Sequence, residues 1–99
     1  LSSEKFDYII CNGLIGYGTN SINDLNLVIE TSYRILKNSG TLIIGWNDRP
    51  ESNQFDPKQS NALRLFSEYV FPPLNVSRFK CSEGSSHVYD FYKKNIYIS

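Results

Sequence analysis

The run Ile35-Leu36-Lys37-Asn38-Ser39-Gly40-Thr41-Leu42-Ile43-Ile44-Gly45-Trp46 changes its hydrophobic period partway along, and that change decides the fold. Just upstream, Leu25, Val28, Ile29, Ser32 and Leu36 recur at helical spacing, and Ile35 widens the apolar face. Ser21 is placed to cap this helix, with Asp24 three residues on as a weaker form of the capping box. Lys37 suits the negative end of the helix dipole and Gly40 is placed to terminate it. Thr41–Trp46 then reads as an apolar strand buried on both faces, the kind found inside parallel sheets.

Outward from this unit, Phe6–Asn12 (FDYIICN) likewise reads as a strand buried on both faces, and Gly13, Gly16 and Gly18 punctuate the loop that follows it. Beyond Trp46 the polar stretch Asn47–Phe55 reads as a loop. Asp56 and Pro57 look like a cap and a first-turn proline. The spacing of Ala62, Leu63, Phe66, Tyr69 and Val70 predicts a second helix from about Lys58 to Val70, stopped by Phe71-Pro72-Pro73. Asn75–Lys80 and His87–Lys94 read as two strands of an antiparallel hairpin, joined by the turn-rich Cys81–Ser86. The predicted order is β-α-β-α-β-β, an α/β domain whose parallel strands end in an antiparallel C-terminal hairpin strand.

Composition narrows the class. The chain has 99 residues, enough for one domain, and 40% hydrophobic content excludes a disordered reading. Ten basic residues balance ten acidic ones, so no global field draws the chain to nucleic acid or anionic lipid. No apolar run approaches the roughly 20 residues that span a bilayer. Cys11 and Cys81 lack metal-ligand spacing and, with the lone His87, supply too few ligands, so no metal is expected. They read as reduced thiols of a cytoplasmic protein. The chain begins with Leu1 and holds no methionine, which suits a piece of a longer reading frame.

Phe6-Asp7 opening an apolar strand, the amphipathic helix, and Leu36-Lys37-Asn38-Ser39-Gly40 leading into Thr41-Leu42-Ile43-Ile44 resemble the class I S-adenosylmethionine-dependent methyltransferases, over the stretch from that family's fourth strand to its fifth. Ser86–Lys94 (SHVYDFYKK) resembles the family's last strand. The turn departs from the usual Leu-Lys-Pro-Gly-Gly, with Asn38 and Ser39 in place of Pro and the first Gly. The resemblance covers nearly the whole chain. It implies that residues 1–99 form the C-terminal half of a partial Rossmann-like methyltransferase sheet, with the cofactor-binding N-terminal half absent. The chain has no GxGxG turn. Gly13, Gly16 and Gly18 have the wrong spacing, and the cofactor has no phosphate to cradle.

In open parallel sheets ligands bind beyond the carboxyl ends of the strands. The resemblance therefore puts Asn12 and Gly13 beside the methionine portion of S-adenosylmethionine. It makes Tyr17, Trp46 and Asn47 acceptor-binding residues and Asp48 a candidate general base. Each has a plainer reading: a turn-forming Asn-Gly, a packing tyrosine, a core tryptophan and a solvated loop charge. Asp90, mid-strand between Tyr89 and Phe91, needs a partner if buried, and Arg78 on the hairpin mate can supply it. His87, at the start of that strand, reads as structural.

Base methylation loses its support because Asn12-Gly13-Leu14-Ile15 stands where the nucleic-acid enzymes carry an (Asp/Asn)-Pro-Pro-(Tyr/Phe) motif. Asn12 in place of an acid also disfavours the metal-dependent branch. The expected function is the acceptor-side half of an enzyme methylating an oxygen or nitrogen of a small molecule or glycan, inactive as these residues alone. Self-association through the exposed first strand is expected. The alternatives are a degenerate interaction or assembly module without cofactor, and another α/β enzyme such as a reductase or glycosyltransferase.

Overall fold

The computed structural model describes residues 6–12, 22–47, 57–81 and 87–95; for Asn12 and Asn47 it describes the backbone only. Among the described residues, five strands form one sheet: β1 (Phe6–Asn12), β2 (Leu36–Asn47), β3 (Phe66–Glu68), β4 (Arg78–Lys80) and β5 (His87–Lys94). One helix, α1 (Ile22–Ile35), joins β1 to β2. Those two strands pair in parallel, and β5 pairs antiparallel with β2, β3 and β4. Four strands therefore point one way and β5 alone runs against them, as the hairpin ending required. The α/β class and the partial Rossmann-like sheet with an antiparallel C-terminal strand are as read from the sequence.

Pairing register sorts the side chains onto two faces. Leu42 lies opposite Tyr92, Ile44 opposite Asp90, and Trp46 opposite Val88. These residues point to the face covered by α1, where Leu25, Ile29, Leu36, Ala62 and Phe66 complete the buried core. Ser32, the polar member of the inner helix face, is also buried, and its hydroxyl donates to the Val28 carbonyl one turn back at 2.8 Å.

Three local expectations change. The helix ends at Ile35, and Gly40 lies inside β2 rather than at a helix cap. Phe6 pairs with Leu36 but Tyr8 with Thr41, so residues 37–40 bulge out opposite Asp7. The positive φ of that bulge falls on Ser39 (65°). Gly40 is needed for space: a Cβ there would lie 2.8 Å from both Leu36 Cδ2 and the Lys37 carbonyl oxygen. The buried Lys94 ammonium donates to the Leu36 carbonyl at 2.7 Å, which satisfies an acceptor just past the helix end.

The predicted second helix over 58–70 is not formed. In its place are two 3₁₀ turns, Pro57–Gln59 and Asn61–Leu65, followed directly by β3. Ser60 caps the second turn by accepting from the Ala62 amide, while its hydroxyl donates to Asn26 of α1. Helical spacing is overridden by tertiary pairing: β5 has a second edge to fill, and the aromatic-rich Phe66–Phe71 suits a strand. Edge hydrogen bonds continue past β3, from the Tyr69 amide to Phe91 and from the Phe91 amide to Ser77. Residues 70–76 loop out between them, closed by a Phe71–Val76 bridge. The expected strand over 75–80 shortens accordingly to Arg78–Lys80. No helix among the described residues is long and apolar enough to cross a membrane.

Candidate functional site

The carboxyl ends of β1 and β2 lie side by side, with Asn12 opposite Gly45. This brings the backbone of Asn12 to the same sheet edge as Gly45, Trp46 and Asn47. That is the edge at which α/β sheets receive ligands. Gly13, Tyr17 and Asp48 lie outside the described residues, and for Asn12 and Asn47 only strand position is described.

Trp46 is the one proposed site residue whose side chain is defined. It is 3% exposed, and its indole Nε1 donates to Asp90 Oδ2 at 2.9 Å. Asp90, itself 2% exposed, also receives the Arg78 guanidinium: Nε at 2.6 Å on Oδ1 and Nη2 at 3.0 Å on Oδ2. The guanidinium carbon stands 5.5 Å from the Trp46 ring centroid. The Arg78–Asp90 pair expected across the hairpin is thus present and bidentate, the geometry that best offsets the cost of burying a carboxylate. The indole was not foreseen as a third partner. Finding it needs the sheet order, because Trp46 and Asp90 meet across β2 and β5 only when these strands are neighbours.

Next along β5, Tyr92 OH and Glu68 share the Lys58 ammonium, at 3.4 Å and 3.3 Å. Burial raises the Tyr92 phenol, with the Asp90 charge acting the same way and Lys58 opposing. Burial would lower Lys58, but the Tyr92, Asp90 and Glu68 groups around it outweigh that and leave it raised. Cys11 is raised by burial, with a Ser32 hydrogen bond opposing, so it is a poor nucleophile. Both cysteines are free. His87 packs edge-on against Tyr89 with ring centroids 5.0 Å apart. Among the described residues no three of the His, Cys, Asp and Glu side chains gather as a metal site would require.

The opposite face of the sheet differs. Tyr8 is 58% and Ile10 64% exposed there, and Phe79 is exposed as well. Phe91 is buried on this side, under the Phe71 ring stacked on it at 4.8 Å.

No protein-family model and no curated protein sequence matches the chain. Among solved structures, the chain is similar to the crystal structure of the N-methyltransferase NodS from Bradyrhizobium japonicum WM9, with a TM-score of 0.68 at 13% sequence identity. The match covers 97% of this chain and 55% of that one, so the chain spans about half the length of its structural neighbour. At that identity the likeness is one of fold: the chain has a methyltransferase-like fold.

Proposed function

We propose that this chain is the acceptor-side half of an S-adenosylmethionine-dependent methyltransferase domain, cytoplasmic, acting on an oxygen or nitrogen of a small molecule or glycan. The observation that carries the reading is the sheet itself, which matches nearly all of this chain to about half of a methyltransferase. Bound S-adenosylmethionine would bring a methyl group already activated on a sulfonium. The protein's task is then mainly alignment of the acceptor. Asn12 and Gly13 would supply backbone and amide groups to the cofactor's amino-acid portion. Trp46 and Asn47 end β2 on the acceptor side, with Tyr17 as a loop contact. Asp48 is the group to take the proton released by an alcohol or ammonium acceptor.

Trp46 contributes by fixing the end of β2 through Asp90 and Arg78, since its ring is buried and its N–H is already engaged. The exposed apolar face bearing Tyr8 and Ile10 supports the view that more protein belongs against this half. That exposure also suits the second reading, an interaction module without cofactor.

Extending the reading frame ahead of Leu1 separates the two. The enzyme reading expects an apolar strand, a glycine-rich turn and an acidic residue ending the next strand. It also expects methyl transfer from radiolabelled S-adenosylmethionine to small amines or alcohols by the extended protein, lost in Asp48→Asn. A start codon immediately before Leu1 would overturn it in favour of the interaction module.

A further inference from the structure

A groove of about 360 Å³ opens between the C-terminal half of α1 and the second 3₁₀ turn, lined by Glu30, Tyr33, Arg34, Arg64 and Leu65. Its place follows from the topology. α1 runs into the amino end of β2, and Leu65 into the amino end of β3. The groove therefore lies at the end of the sheet away from Asn12 and Trp46, and serves nothing so far described.

Its floor is apolar and rigid. Tyr33 packs edge-on against the buried Phe66 at 5.8 Å between centroids, and its hydroxyl donates to the Asn95 carbonyl at 3.2 Å. Its walls are cationic. Arg34 and Arg64 are both exposed, and neither makes an ion pair among the described residues. Arg34 spends one contact on Thr31 Oγ1 at 3.4 Å, and Arg64 one on the Asn61 carbonyl at 2.8 Å. A guanidinium has five N–H donors, so among the described residues most of each fork is uncommitted. Beneath, the Lys94 ammonium lies 4.5 Å from the Tyr33 ring centroid. Two cations thus line a groove with one carboxylate, Glu30, in a chain whose net charge is zero, and the buried Lys94 stands behind its tyrosine floor.

The helix dipole accounts for part of this, since Arg34 stands in the last turn of α1 and Lys94 holds the Leu36 carbonyl. Arg64 likewise stands in the last turn of its own, separate element, but nothing in that local role requires it to face the same groove as Arg34. We propose that this groove binds an organic anion: a phosphate or carboxylate head held by the Arg34 and Arg64 forks, on a flat apolar body lying over Tyr33 and Leu65.

Phenyl phosphate is the probe, with benzyl alcohol as its uncharged counterpart. The readout is phenylglyoxal modification of each arginine by peptide mass spectrometry, at dilute protein. Phenyl phosphate should protect Arg34 and Arg64 together and saturably, while benzyl alcohol protects neither. Arg64→Gln should raise the concentration that half-protects Arg34 by about tenfold, the loss of one charge-assisted contact. Arg64→Lys, which keeps the charge without the fork, should fall between. Trp46 fluorescence checks that both variants fold. Equal protection by benzyl alcohol, or half-protection of Arg34 unchanged by Arg64→Gln, would overturn the proposal.

Discussion

The two sides of β2 are finished very differently. On the β5 side both edges of β5 itself are paired, one with β2 and the other with β3 and β4 in succession. The polar groups buried there are matched: Asp90 with Arg78 and Trp46, and Lys94 with Leu36. On the β1 side the sheet stops at an apolar strand with one edge unpaired among the described residues, and Tyr8 and Ile10 stand in water. A protein closes its buried polar groups and sheet edges where its own chain supplies the partners. Under the proposed reading, the β1 border is the seam with the rest of the domain and the β5 side is internal to this half.

If that contrast is sound, substitutions on the closed side should be costly and those on the open side nearly free. Asp90→Leu leaves the Arg78 and Trp46 donors without their acceptor and should cost about 3 kcal/mol, the lower end for a broken buried pair because Arg78 reaches water. Urea unfolding followed by Trp46 fluorescence would show it, and a loss below about 1 kcal/mol would mean the cluster does not anchor the sheet. Gly40→Ala, in the bulge facing β1 and outside that contrast, should cost about 2 kcal/mol, because the new methyl meets the Lys37 backbone, which cannot give as a side chain would.

Alkali probes groups on both sides more gently. Cys11, Tyr92 and Lys58 are all raised in the fold, from ordinary values of 9.0, 10.0 and 10.5. The unfolded chain then gives up these protons before the folded one, so stability is full below pH 9 and falls as pH rises through the folded values. Melting temperatures should hold level to that point and then decline, less steeply in Tyr92→Phe. Smallest of all, Ile10→Lys should change stability by under about 0.5 kcal/mol while shifting the chain toward monomer in sedimentation. A large loss of stability there would show that the open face is already covered.

The sequence made some of this arrangement legible and hid the rest for identifiable reasons. β1 and the Thr41–Trp46 part of β2 were readable from short apolar runs, β5 from the turn-rich stretch before it, and α1 because Leu25, Ile29 and Ser32 repeat at helical spacing. Burial of β1 on both faces was not borne out, since Tyr8 and Ile10 are exposed. The stretch Lys58–Val70 carries the same spacing but folds as 3₁₀ turns and an edge strand. Its conformation is set by the vacant side of β5, a long-range demand that a local period does not encode. Ser39 taking the positive φ was likewise hidden behind the neighbouring glycine, whose role is steric. At the candidate site the Arg78–Asp90 pair followed from hairpin geometry. Trp46 as their third member depended on the order of strands across the sheet.

The claim that most needs testing is that these residues form the acceptor side and leave most of the cofactor contacts to protein beyond the β1 seam. Calorimetric titration of the 99-residue chain with S-adenosylmethionine addresses it directly. The account predicts no heat of tight binding by the chain alone. Micromolar affinity in that titration would contradict it.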